Sequence, residues 1–410
     1  MSEKNYDIYL DLGSSKIRAT AFDKQEKNQI FFIEKDCLTC LKLNQLNLLE
    51  TDKIIEETVF EIEKKTGEYL SNINLMLDTS DAFSIILSVS KKNEKKIITK
   101  QDVQYLIQDA KQQILSGYSD KSIIHIIVNN YKVDDTDYES LPLNIECKKF
   151  SIDVIFICFP KEIIKNLEKL FNKHQISIDQ FICSSYAKSF NYKKHFNEFN
   201  QIAFLDIGYE KTSVIFYEKE KLKFFNVLSI GGHHITKDIS KMLNLNIELS
   251  EKIKSNLNKG IIFSENEENT EIFKNEFTNI IKDKKLSFDL IKKIIFARIE
   301  ETLNLSFKTI DKNKSSELKK ELKVILIGQG SKILNNKYID MKETTPLVDE
   351  IDFFEESTTN ICESGLKLMQ GINKQEVVII PKKLKKKGLF ERLFYFFKKK
   401  SYFTVTIVVF

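Results

Sequence analysis

No stretch of 18 or more apolar residues occurs in the 410-residue chain, so no transmembrane helix is expected. Residues Met1–Tyr9 lack the charged-then-apolar layout of a secretory signal. Histidine is scarce, five in all, and His233 and His234 are the only adjacent pair. Neighbours on a helix or strand point apart, so they read as helix-entry residues beside a glycine pair. There are six cysteines, and only Cys37 and Cys40 form a Cys-x-x-Cys pair. A zinc site needs a second pair or histidines in register, and none follows, so the two read as ordinary cytosolic thiols. Arginine occurs only at positions 18, 298 and 392. With so much Ile, Asn and Phe, the excess of lysine reflects an AT-rich codon bias and is not itself a sign of function.

What is present suffices for ordinary folding. Hydrophobic residues make up 42% and charged ones 30%, enough for packed cores and roughly two to four domains. The net charge of +4 is unevenly spread. Residues 382–400 hold nine basic side chains against Glu391 alone, a net +8, which leaves −4 for residues 1–381. An acidic body argues against nucleic acid as a partner. A basic tail seeks an anionic surface.

The chain contains a repeat. Residues 7–24 read DIYLDLGSSKIRATAFDK and residues 202–219 read IAFLDIGYEKTSVIFYEK. With Asp11 over Asp206, Gly13 falls on Gly208 and Lys16 on Lys211. Each copy is an apolar strand, Asp-[Leu/Ile]-Gly-x-x-Lys, and a second strand, which predicts a β-hairpin. One such hairpin is commonplace; two, each opening a half-chain, suggest facing domains with a ligand between them. The chemistry suits a nucleotide. Glycine lets backbone N–H groups approach phosphate oxygens, Ser14 and Ser15 add hydroxyls, and Lys16 adds charge. Asp11 and Asp206 are placed to hold a hydrated Mg²⁺ between them.

Between the copies, Thr51 reads as the cap of a helix stopped by Gly67. Residues 82–158 read as an inserted unit: strand Phe83–Val89, a helix opened by Thr99-x-x-Asp102, then strands Ser122–Val128 and Ser151–Phe159. Pro160 opens another helix. After the second copy, Gly231-Gly232 precedes a helix, Ser250 reads as the cap of the next, and residues 260–284 read as an exposed loop or hairpin. Val324–Ile327 is a strand ending in Gly328-Gln329-Gly330-Ser331, a nucleotide-contact geometry when a helix follows.

This order of motifs resembles the actin/chaperone/sugar-kinase superfamily, and nearly the whole chain resembles the FtsA family of actin-like bacterial division proteins. DLGSSKI (11–17) is similar to that family's first phosphate loop, and residues 205–240 to its second loop and the following helix. ELSEKIK (248–254) resembles its adenosine-side helix, which implies Glu251 and Lys254 beside ribose and base. IGQGSKI (327–333) resembles its adenosine loop, and KKKGLFERLFYFFKKK (385–400) its membrane-targeting helix. The resemblance implies an α/β, actin-like (ribonuclease H-like, duplicated) two-domain fold with an inserted 1C subdomain. Subdomain 1A would be 1–81 with 159–200 and 340–381, 1C 82–158, 2A 201–232 with 301–339, 2B 233–300, and the tail 382–410. It implies ATP and Mg²⁺ as cofactors. The nucleotide contacts would be Gly13, Ser14, Ser15, Lys16, Gly208, Thr212, Gly232, Glu251, Lys254, Gly328, Gly330 and Ser331. It implies as partners the FtsZ C-terminal peptide through 2B, further copies in a filament, anionic membrane lipids and later division proteins. The expected location is the cytoplasmic face of the inner membrane at the septum, held peripherally.

The chain also departs from the pattern. Tyr209, Glu210 and Lys211 stand where the family has two glycines and a threonine, so ATP turnover is expected to be weak or absent. Gln329 interrupts a run of glycines, and the stretch around Pro142 lacks an expected Gly-Met segment. The alternatives are a PilM-like pilus adaptor and a small-molecule kinase of the superfamily. The kinase would need an extra acid/base carboxylate in the cleft and sugar-binding polar residues, which the sequence does not single out, and it has little use for a lipid-seeking tail. The tail is the most discriminating feature. On a helix over 388–400, Leu389, Phe390, Leu393, Phe394, Phe396 and Phe397 fall in one arc of about 160°, with Arg392 and Lys398 on the polar side. An apolar aromatic face flanked by lysines fits an interfacial helix rather than one packed on an acidic body.

Overall fold

The computed structural model describes residues 5–37, 41–42, 45–258, 288–313, 322–333, 350–370, 376–380 and 406–409. The proposed anchor residues, Leu389 to Lys398, lie outside these, as does the whole stretch 260–284.

The first half is built on β1 (Tyr6–Leu12), β2 (Lys16–Asp23) and β3 (Gln29–Asp36), followed by the two-residue strands β4 (Leu41–Lys42) and β5 (Gln45–Leu46), which pair with each other. Helix α1 (Leu48–Thr66) then leads to β6 (Asn72–Leu77). The helix turns Ile55, Val59 and Ile62 inward at helical spacing. Its cap is Asn47, whose side chain accepts the Glu50 N–H at 3.4 Å. Thr51 is therefore not the cap; it sits buried one turn inside. Gly67, at φ 69°, ends the helix with its N–H on the Glu63 carbonyl.

The inserted unit comprises β7 (Phe83–Ile97), α2 (Lys100–Gly117), β8 (Lys121–Val133), β9 (Thr136–Tyr138) and β10 (Glu146–Pro160). Its strands are longer than the expected runs, because pairing with β10 continues into polar sequence such as Lys91 and Lys92. The Thr99–Asp102 box is formed: the Asp102 carboxylate accepts both the N–H and the hydroxyl of Thr99, each at 2.7 Å. One face of α2 (Val103, Leu106, Ile107, Ala110, Ile114) closes this unit's own core.

The chain returns through α3 (Lys161–Lys173), β11 (Ser177–Cys183) and α4 (Ser184–Lys193), completing a five-stranded sheet in the order β11-β6-β1-β2-β3. The second half holds β12 (Gln201–Ile207), β13 (Thr212–Glu218), β14 (Lys221–Leu228), α5 (Gly232–Leu243), α6 (Ile247–Asn258), α7 (Phe288–Asn313), β15 (Leu322–Ile327) and β16 (Glu350–Phe353). Helix α8 (Asn360–Met369), β17 (Glu376–Ile380) and β18 (Thr406–Val409) complete the described elements. β12 and β15 are buried along their whole length, as central strands covered on both faces are. For the same reason the alternation in β2 and β13 does not separate core from solvent.

Several expectations are corrected. Asn246, not Ser250, caps α6, its side chain accepting the Leu249 N–H at 2.8 Å; Ser250 lies inside the helix and bonds back to the Asn246 carbonyl. The span 340–381 is not all first-half. β16 pairs parallel to β15, and Ile351 and Phe353 pack on the second core. α8 instead supplies Ile361, Leu366 and Leu368 to the first core. α7 runs unbroken across the expected 300/301 boundary. The Gly-x-Gly-Ser loop continues only as a short 3-10 turn, Gln329–Ile333, within the described residues. Cys37 is disulfide-bonded rather than a free thiol. The sheet of the inserted unit joins that of the second half through one residue pair, Asn226 with Phe83, beside the Phe225 N–H on the Ser84 hydroxyl at 2.8 Å.

Candidate functional site

The two hairpins have the same turn. In the first, the Gly13 N–H reaches the Lys16 carbonyl at 2.9 Å; in the second, the Gly208 N–H reaches the Lys211 carbonyl at 2.8 Å. A Cβ on Gly13 would lie 2.8 Å from that carbonyl, so the tight turn requires glycine. The turns face each other across a cleft of about 90 Å³. Asp11, Gly13, Ser14, Ser15, Lys16, Asp206, Gly208 and Gly328 all line it, together with Lys188, Lys211 and Tyr209.

Helix α4 joins the two carboxylates. Ser184 and Lys188 are four residues apart and so share one helix face. The Ser184 hydroxyl donates to Asp11 at 2.6 Å, and Lys188 Nζ lies 2.6 Å from Asp206 and 3.3 Å from Glu356. Asp11 is also paired with Arg18 at 3.1 Å, its cross-strand neighbour in β2. Burial works against the charge on Lys188, but Asp206 and Glu356 outweigh it and raise its pKa. Burial pushes Glu356 up; its other oxygen accepts the Gly328 N–H at 2.9 Å.

Lys211 donates to the backbone carbonyl of Asp78, at the end of β6. Burial lowers its pKa, against the pull of Asp78, Asp11 and Asp206. Burial likewise raises Asp78, whose carboxylate is held at the start of α4 by the Ser185 N–H and hydroxyl, both at 3.1 Å. Lys16 lines the cleft, but its ammonium pairs with Glu34 on β3, which Arg18 also holds at 2.9 Å.

The remaining candidates form a second cluster. Lys254 Nζ donates to the Gly232 carbonyl at 3.0 Å, to the Thr236 hydroxyl at 2.8 Å and to Glu251 at 2.7 Å. Gly232 abuts Gly330: a Cβ on it would meet the Gly330 Cα at 3.7 Å. Tyr209 stacks on His233, ring centroids 4.6 Å apart, and Lys254 lies over the same tyrosine ring. His234 Nδ1 accepts the Gly231 N–H at 3.1 Å, so it serves the helix entry. Thr212 and Ser331 are buried and bond to backbone carbonyls, Ile230 and Gly328, each at 2.7 Å.

Sequence reasoning missed Arg18, Asp78, Ser184, Lys188 and Glu356. Only Ser184 and Lys188 carried a local signal, their i,i+4 spacing.

The donor set suits phosphate: turn N–H groups, Ser14 and Ser15, and ammonium groups. Its volume is below the roughly 300–1,000 Å³ of ligand pockets, so the space between the turns has room for part of a nucleotide and not the whole of one. The set does not suit a divalent cation. Both expected ligands, Asp11 and Asp206, are already neutralised by buried cations. Among the described residues no three His, Cys, Asp or Glu side chains are grouped to hold a metal.

Two halves, each opening with an Asp-x-Gly hairpin and meeting at one cleft, define an actin-like protein, a class that in general binds nucleotide with Mg²⁺. A family model described as cell division protein FtsA matches residues 203–375, and one described as the SHS2 domain inserted in FTSA matches residues 80–158. Together they span more than half of the chain, which belongs to the FtsA family. It is 23% identical over 323 residues to the cell division protein FtsA of Enterococcus faecalis, covering 78% of this chain and 72% of that one. It is 23% identical over 282 residues to that of Agrobacterium fabrum, covering 68% and 63%. Among solved structures, its fold is similar to a chain of the PilM-PilN type IV pilus biogenesis complex, with TM-score 0.55, 13% identity, and coverage of 88% and 94%. No helix among the described residues is long and apolar enough to cross a membrane.

Proposed function

We propose that the protein polymerises on the inner face of the cytoplasmic membrane at the division septum and tethers FtsZ filaments there. Residues 233–300 dock the FtsZ C-terminal peptide, later division proteins follow, and the amphipathic segment 385–400 inserts among anionic lipids. The observation that carries this reading is the inserted unit Phe83–Pro160, which matches the domain described as inserted in FtsA. In this reading the cleft takes ATP, with its phosphates on the turns at Gly13–Lys16 and Gly208–Thr212. The adenosine lies toward Glu251, Lys254 and Gly328–Ser331. Turnover is slow or absent, because hydrolysis needs a shaped phosphate cradle and a held water, and Tyr209 and Lys211 crowd the second turn.

Flotation with anionic vesicles tests the anchor: the full chain should float, while Phe394→Glu and a chain ending at Leu384 should stay in the dense fraction. Each lysine near an anionic leaflet contributes about 1 kcal/mol, so high salt should weaken flotation. A labelled FtsZ C-terminal peptide should bind the full chain. Absence of peptide binding would favour a pilus-assembly adaptor, the second reading, since the fold is also similar to that of the PilM-PilN chain.

A further inference from the structure

Resting on the nucleotide reading above, we propose that this cleft takes its nucleotide without a divalent cation, the side chains of Lys188 and Lys211 supplying the positive charge at the phosphates. The two carboxylates that would carry a metal are spoken for. Asp11 holds Arg18 at 3.1 Å and the Ser184 hydroxyl at 2.6 Å, and Asp206 holds Lys188 at 2.6 Å. A dication placed between them would have to displace both partners. Breaking those two buried pairs is costly.

The same geometry offers the replacement. Lys211 occupies the position that is threonine in the family pattern, and it lines the cleft from the second turn. An ammonium has three N–H donors; Lys211 uses one, on the Asp78 carbonyl. Two remain for phosphate oxygens. Lys188 lines the same cavity and is held rigidly by Asp206 and Glu356. A lysine binds phosphate as a point charge, without the fixed coordination shell a metal demands. These are placed groups on α4 and a hairpin turn, not mobile surface lysines.

The test is a fluorescence titration of the full chain with a ribose-labelled ATP analogue, once with excess Mg²⁺ and once in EDTA. The expected dissociation constants differ by less than about fivefold, equivalent to about 1 kcal/mol. A loss of fivefold or more in EDTA overturns the proposal. Lys211→Thr, checked for folding by its melting curve, should lose at least about tenfold in EDTA and in Mg²⁺ alike, because Arg18 and Lys188 still hold the two carboxylates. If it binds as well as the parent chain in EDTA, Lys211 does not carry the charge and the proposal fails. Absence of binding by the parent chain in both buffers would instead sink the nucleotide reading itself.

Discussion

Gly328 adopts φ 87°, a left-handed conformation that only glycine enters cheaply. A Cβ there would press on the Asp206 carboxylate and lie 2.6 Å from the Ile207 carbonyl. Gly328→Ala should therefore cost about 1–3 kcal/mol of stability and shift Asp206 off Lys188. Chemical denaturation and ATP titration of the variant would read both effects. Part of the site at this scale is legible in the sequence because turn chemistry is local: Asp11, Gly13, Asp206 and Gly208 announce a hairpin from a few residues. Asp78, Glu356 and Arg18 do not. Asp78 and Glu356 meet the cleft only through tertiary packing, and Arg18 reads as one residue of an alternating strand until its pairing across from Asp11 is seen.

The start of α2 is a self-contained test at the scale of an element. Partial burial pushes the Asp102 carboxyl up, but Lys91 and the Thr99 hydroxyl and N–H outweigh it and hold it below the usual carboxylate range. A depressed folded-state pKa means the stabilisation is complete above the unfolded value, near 4, and is lost as pH falls through the folded one. Asp102→Ala should cost about 0.5–2 kcal/mol near neutral pH, and the difference from the parent chain should shrink in acid. Urea melts at a series of pH values would measure it; a constant difference would reject the cap as its source. Caps also mark the limit of reading elements from sequence. Thr99 with Asp102 is legible, whereas Thr51 and Ser250 read as caps although asparagines four residues earlier, Asn47 and Asn246, cap the helices. Asparagine competes for helix N–H groups as well as serine or threonine, so spacing alone does not choose between them. The buried β12 and β15 are readable from their apolar runs. The join of β16 to the second sheet is not, because a four-residue strand carries no address.

For the whole molecule, the consequence lies in which side chains meet across the cleft. Lys188 leaves α4 in the first half and ends on Asp206 in the second. Removing it strands two buried carboxylates, Asp206 and Glu356, so Lys188→Ala should lose about 3–5 kcal/mol. Glu356→Gln added to it should recover part of that, as a denaturation double-mutant cycle would show; strict additivity would mean the two do not communicate.

Lys211 runs the opposite way, from the second half to the Asp78 carbonyl of the first. The arrangement is a latch thrown from both sides. Neither half can swing out without pulling its own lysine from the other's socket, and freeing one leaves the other still engaged. Opening is then a single concerted event rather than a gradual widening, and until it happens the two lobes act as one stiff block.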